Sequence, residues 1–136
     1  MPVLDANILL RHITKDNPEQ GERSMALLEK LREGTETAFL PEGVLVEVVQ
    51  VLSSKNLYQL PRDQIRSWLS TIISFGGIEM PNKRTYLRAL DIYLEYNRLS
   101  FVDSLCVAHA QRFDDATVIS FDRGFRNVDG VTRVEP

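Results

Sequence analysis

The sequence has few of the residues that small, coreless folds rely on. Cysteine occurs once, at Cys106. That excludes an internal disulfide and any cysteine-rich zinc site, and makes a reducing cytoplasm the expected setting. Histidine occurs twice, at His12 and His109. Neither is flanked by a serine and an acid in the manner of a hydrolytic triad. The seven glycines form neither a Walker-type phosphate loop nor a dinucleotide fingerprint. No apolar run approaches the ~18 residues of a membrane span, and no basic segment with a cleavage site opens the chain, so neither a membrane anchor nor a signal peptide is expected. There is no excess of basic residues either. The net charge is −3, which on its face argues against a nucleic-acid partner.

What is present suits one globular domain covering residues 1–136, with 43% apolar and 26% charged residues. Short apolar runs alternate with helical patterns. Pro2–Leu4 reads as a buried strand stopped by Asp5, followed by a helix capped by Asn7 and carrying Ile8, Leu9, Leu10 and Ile13. Residues 19–33 repeat Met25, Leu28 and Leu31 at helical spacing, with Ala26 and Leu27 beside them, and Gly34 ends that helix. Ala38–Leu40 is a second strand. Pro41 opens a valine-rich helix from Gly43 to Leu52. A helix after Leu60 and Pro61 carries Ile65, Trp68, Leu69, Ile72 and Ile73 on one face and ends at Gly76 and Gly77. Ile78–Met80 is a third strand. A helix from Asn82 to about Tyr96 turns Tyr86, Leu87, Leu90, Tyr93 and Leu94 inward. Ser100 caps the next, apolar at Val102, Leu105, Cys106, Val107 and Ala108. Thr117–Ile119 is a fourth strand, and residues 131–134 a short last one. Strands alternating with helices predict an α/β fold with a small central parallel sheet.

Four acids stand where packing alone does not ask for them. Asp5 and Asp122 each follow a strand. In a doubly wound sheet, neighbouring strand ends open into one crevice at the switch point. Glu47 interrupts the valine-rich helix. Two explanations stand for it: a metal ligand, or part of a thin polar stripe with Gly43, Gln50 and Ser54. Asp5 is either a ligand or a helix cap. Asp103 forms a capping box with Ser100, yet it heads the helix face of Cys106, Val107 and Ala110. Like charges brought together repel unless a cation sits among them. Oxygen-only donors suit Mg²⁺ or Mn²⁺ rather than zinc. A hard cation on several carboxylates activates water and offsets charge on a phosphate. Setting those four acids aside turns the net charge from −3 to +1, so RNA remains an admissible substrate. The basic residues nearest the acids in sequence, Arg11, Arg123 and Arg126, are the candidates to hold its phosphates.

The stretches VLDANILLRH, LVEVVQVL, LSFVDSLCVAHA and VISFDRGF resemble, in order and spacing, the four motifs of the PIN-domain ribonucleases. Over nearly the whole chain the resemblance is strongest to the VapC toxins of toxin–antitoxin pairs. It implies a single PIN domain with a three-layer α/β/α fold and a Mg²⁺- or Mn²⁺-dependent endoribonuclease activity. Asp5, Glu47, Asp103 and Asp122 would be catalytic and metal-binding, with Asn7 and Ser120 supporting them. It also implies a cognate antitoxin and a homodimer. Leu99 and Ser100 depart from the glycine and aspartate that many members carry before the third acid. The alternative is a PIN scaffold that binds RNA or a protein without cleaving. A phosphatase of the haloacid dehalogenase type would need an aspartate where Asn7 stands, and a response-regulator receiver would need paired acids and a late lysine.

Overall fold

Asp5, not Asn7, begins the first helix. In the computed structural model, which describes Met1–Pro136, α1 runs Ala6–Thr14 and Asp5 is its N-cap, with φ −92° and ψ 158°. Its carboxylate accepts from the Asn7 amide. Both residue types cap well; the acid wins because it sits just ahead of the first helical residue, within reach of the unpaired amides.

The chain forms two compact units, Met1–Pro81 and Asn82–Pro136. In the first, α1 packs on α2 (Pro18–Glu33) and on α3 (Glu42–Ser53), and α3 packs on α4 (Arg62–Ile73). The breakers act where the sequence places them. Asn17 accepts from the Gln20 amide and Pro18 takes the first helical position, while Gly34 closes α2 at φ 79°. Two parallel strands, β1 (Ala38–Phe39) and β2 (Ile78–Glu79), pair Ala38 with Ile78 and Phe39 with Glu79. The expected first strand contributes a single parallel bridge, Val3 to Phe39. Only its Leu4 is buried; Val3 is 63% exposed.

The α2 interface differs from the predicted one. Met25 and Ala26 face solvent, and the buried stripe is Gly21, Ser24, Leu28 and Leu31. A Cβ at position 21 would stand 3.2 Å from the Arg11 carbonyl, so the two small residues let α2 approach α1 closely. Leu9, Leu31, Leu45, Leu52, Ile65, Leu69, Ile72 and Ile73 are fully enclosed, each contributing roughly 1.5–3 kcal/mol by leaving water.

In the second unit α5 (Lys83–Glu95) packs on α6 (Phe101–Ala110), with Tyr93 edge-on to Phe101 at 5.7 Å. Strands β3 (Thr117–Ile119) and β4 (Thr132–Val134) pair in parallel, Val118 opposite Arg133. A 3₁₀ turn, Arg123–Phe125, lies between them in sequence. Cys106 on α6 and Leu94 on α5, both predicted inward, are exposed, as is the apolar Val102. Helix α6 is apolar around most of its circumference, so periodicity cannot choose the sector that packs. The α/β class and parallel strands are as the sequence predicts, with the ladders only two or three residues long.

Candidate active site

The four acids divide between the units, Asp5 and Glu47 in the first, Asp103 and Asp122 in the second. Asp5 sits at the N-terminus of α1 and is exposed, its carboxylate capping the helix. Glu47 stands on the solvent side of α3 with Gly43 and Gln50, opposite the buried Leu45, Val48, Val49 and Leu52. Glu47 thus shares an exposed polar stripe with Gly43 and Gln50, a position that leaves its carboxylate open to a ligand.

Asp103 is half-buried at the start of α6. Its Oδ2 accepts from the Ser100 amide at 3.0 Å, and Ser100 Oγ accepts from the Asp103 amide at 3.1 Å. Asp122 is exposed just past β3. Its Oδ1 accepts from the Gly124 amide at 2.7 Å, and its own amide donates to Ser120 Oγ at 2.9 Å. Ser120, the expected supporting residue, meets Asp122 at its backbone amide rather than at its carboxylate. Asn7 is the second residue of α1, where its amide meets Asp5.

Three of these carboxylates have one oxygen engaged by a backbone amide and the other without a protein donor, and Glu47 has no protein donor at all. None of the four forms an ion pair. Neither unit by itself gathers three His, Cys, Asp or Glu side chains into a group fit to hold a metal ion.

The candidate RNA-binding arginines differ among themselves. Arg11 is committed within the protein: Nε donates to Gln20 Oε1 at 2.9 Å and Nη1 to Asp16 Oδ1 at 2.9 Å. Asp16 also accepts from Thr14 Oγ1 and from the Tyr58 hydroxyl. These hydrogen bonds, Tyr58 first, hold the Asp16 carboxyl below its ordinary pKa. Arg11 and Asn7 do share a hollow of about 430 Å³ between α1 and α2, whose other lining includes Arg23 and Ser24. Arg123 and Arg126 are exposed, and their guanidinium groups have no partner in the protein.

Sequence reasoning missed Arg98 and Arg133, which grip the backbone around Asp122. Arg133 donates to the Asp122 and Phe121 carbonyls at 2.9 and 3.0 Å. Arg98 donates to the Gly124 and Arg126 carbonyls at 2.9 and 2.7 Å. No local pattern marks either residue, because both bond to main chain far off in sequence. The histidines are structural: His109 lies edge-on to Tyr86 at 5.9 Å, and half-buried His12 edge-on to Trp68 at 5.4 Å. Burial, then the Lys15 charge, lowers the His12 pKa; Glu29 opposes them.

Over residues 3–131 the sequence matches the family model described as PIN domain. At 27% identity, over 100% of its own length and 97% of the relative's, it is similar to a VapC ribonuclease from Aquifex aeolicus. It is 28% identical, over 98% of its length and 99% of theirs, to a VapC ribonuclease of Mycobacterium bovis and to ribonuclease VapC13 of Mycobacterium tuberculosis. No helix is long and apolar enough to cross a membrane.

Proposed function

This chain belongs to the PIN domain family, and on that premise we propose that it is a divalent-metal-dependent endoribonuclease, the toxin of a toxin–antitoxin pair, acting in the cytoplasm as a single PIN domain. The match to the PIN domain model over residues 3–131 carries the reading, and the carboxylates are disposed to accept a cation. The four acids at the PIN motif positions each keep a carboxylate oxygen free of any protein donor or cation. Ribonuclease-named relatives matching along their whole length support the same conclusion.

The donor set fits Mg²⁺ or Mn²⁺, since every candidate ligand is a carboxylate oxygen. Asp5, Glu47, Asp103 and Asp122 would hold the ion. When bound, it supplies water activation and charge neutralisation at a phosphodiester. The protein's own part is orientation. The α1 and α6 N-termini fix Asp5 and Asp103 through backbone amides, and Ser120 and Gly124 fix Asp122. Arg123 and Arg126 offer charge to the RNA backbone. Control falls to a cognate antitoxin, whose arginines would pair bidentately with the same carboxylates, and the active form is a homodimer.

The test is incubation of purified protein with total RNA and Mn²⁺, with mapping of the cleaved ends. The expected products carry 5′-phosphate and 3′-hydroxyl ends, and excess EDTA abolishes them. Full cleavage in EDTA, or cyclic phosphate ends, overturns the proposal. Binding without cleavage identifies a non-catalytic PIN module instead.

A further inference from the structure

The segment from Phe121 to Arg126 makes no strand pairing, yet two guanidinium groups grip its carbonyls. Arg133, on β4, is the more enclosed, with its side chain 10% exposed. Its Nε and Nη2 donate to the carbonyls of Asp122 and Phe121, and Nη2 also meets Glu135. Arg98, in the loop between α5 and α6, reaches the other end of the segment. Its Nε and Nη2 donate to the carbonyls of Gly124 and Arg126, and its guanidinium lies over the Tyr96 ring at 5.1 Å.

Asp122 lies within this double grip. Its carbonyl is held by Arg133, its amide by Ser120 Oγ, and its Oδ1 by the Gly124 amide. Gly124 is held in turn by Arg98. Of the polar atoms of Asp122, only Oδ2 is left without a protein partner. A planar guanidinium holds two carbonyls at once in a rigid fork, a geometry that a lysine's rotatable ammonium does not impose.

We propose that Arg98 and Arg133 are positioning residues for Asp122: together they lock the 121–126 backbone so that one carboxylate oxygen is presented in a single orientation. This rests on the reading of Asp122 as a metal-site acid. Neither arginine touches substrate or metal; each acts through the main chain. Partners of this kind typically change activity or metal affinity by about 10- to 100-fold.

The experiment uses the full chain, with Arg133→Gln and Arg98→Gln, each also combined with Asp122→Asn, and Arg133→Lys as a milder variant should Arg133→Gln not fold. Two readouts are taken: RNA cleavage against Mn²⁺ concentration, and broadening of the Asp122 and Gly124 amide resonances by Mn²⁺ without RNA. Each Gln variant is expected to lower kcat and raise the Mn²⁺ requirement by about 10- to 100-fold, with KM for RNA unchanged. On the Asp122→Asn background, the same substitutions should have no further effect. Arg133→Lys should fall between. Effects that multiply across the two backgrounds, or arginine variants that melt earlier but cleave and bind Mn²⁺ as wild type, overturn the proposal. A wild-type protein that does not cleave RNA refutes the ribonuclease reading alone. The Mn²⁺ broadening then still decides whether the arginines set presentation of Asp122.

Discussion

Ser100 and Asp103 hold each other's backbone amides, Oγ to amide at 3.1 Å and amide to Oδ2 at 3.0 Å. One side chain thereby serves as both helix cap and proposed metal ligand. The two roles separate by mutation. Ser100→Ala removes the acceptor for the Asp103 amide and should cost about 1 kcal/mol, a fall in Tm of about 3–5 °C, with the acid retained. Asp103→Asn keeps an oxygen for the Ser100 amide and should melt close to wild type while losing cleavage. Calorimetry beside an RNA cleavage assay checks both, and an active Asp103→Asn protein would refute the ligand role.

Glu47 is exposed on α3 and accepts no hydrogen bond. Glu47→Gln should therefore leave stability within about 0.5 kcal/mol of wild type and still abolish cleavage. Asp5→Asn preserves a good N-cap and removes one like charge, so its metal-free Tm should equal or exceed that of wild type. Asp122→Asn should impair cleavage least. Thermal melts in EDTA and cleavage rates in Mn²⁺ test all three.

Arg123 and Arg126 should carry RNA phosphates, and Arg11 chiefly structure. Replacing Arg123 and Arg126 together by alanine should weaken RNA affinity and reduce the slope of log K against log salt by about 0.7 per lost contact. Arg11→Ala breaks its bonds to Gln20 and Asp16 and should lower Tm. Anisotropy of a labelled RNA across a KCl series, in EDTA, separates the cases; an unchanged slope in the double variant would move phosphate binding elsewhere.

Asp16, bound by Tyr58, Thr14 and Arg11, has its pKa lowered on folding. A depressed carboxyl pKa adds stability that is complete above the unfolded value of about 3.9 and is lost as pH falls through the folded value. Asp16→Asn should therefore be less stable than wild type at pH 7, and the gap should close only below about pH 4. Urea melts at pH 7, 5 and 3 provide the check, and a gap of constant size would exclude the linkage.

Gly77 has no room for a side chain. A Cβ there would lie 2.2 Å from the Glu36 carbonyl oxygen and 2.7 Å from that of Leu31. Its amide donates to Leu31 and its carbonyl accepts from Ala38, so the neighbouring backbone is held on both sides. Gly77→Ala should cost about 3 kcal/mol, measured by denaturant melts. Gly76→Ala, which meets nothing within 4 Å, serves as the control.

The α/β alternation was legible because punctuation residues act locally. Asn17, Pro18, Gly34, Pro41 and Pro61 each lie at or next to a helix end. The capping box of Ser100 and Asp103 was legible by its spacing. Burial was less so. Gly21 and Ser24 line the α2 interface because small residues permit close approach, a signal that counting apolar side chains passes over. On α6, apolar on several sides, the outward turn of Val102 and Cys106 depends on what packs against the helix. Arg98 and Arg133 were invisible because their partners are main-chain carbonyls that only the folded chain brings within reach.

Trp68 is the sole tryptophan, and it meets the half-buried His12 edge to face. An imidazolium ring quenches indole emission, so this contact makes the first unit its own optical reporter. Because burial lowers the His12 pKa, emission should dim only below about pH 6.5 and should stay level in a His12→Gln protein. The second unit holds Tyr86, Tyr93 and Tyr96 and no indole, so selective excitation of Trp68 follows the melting of residues 1–81 without a label and without interference from the rest of the chain.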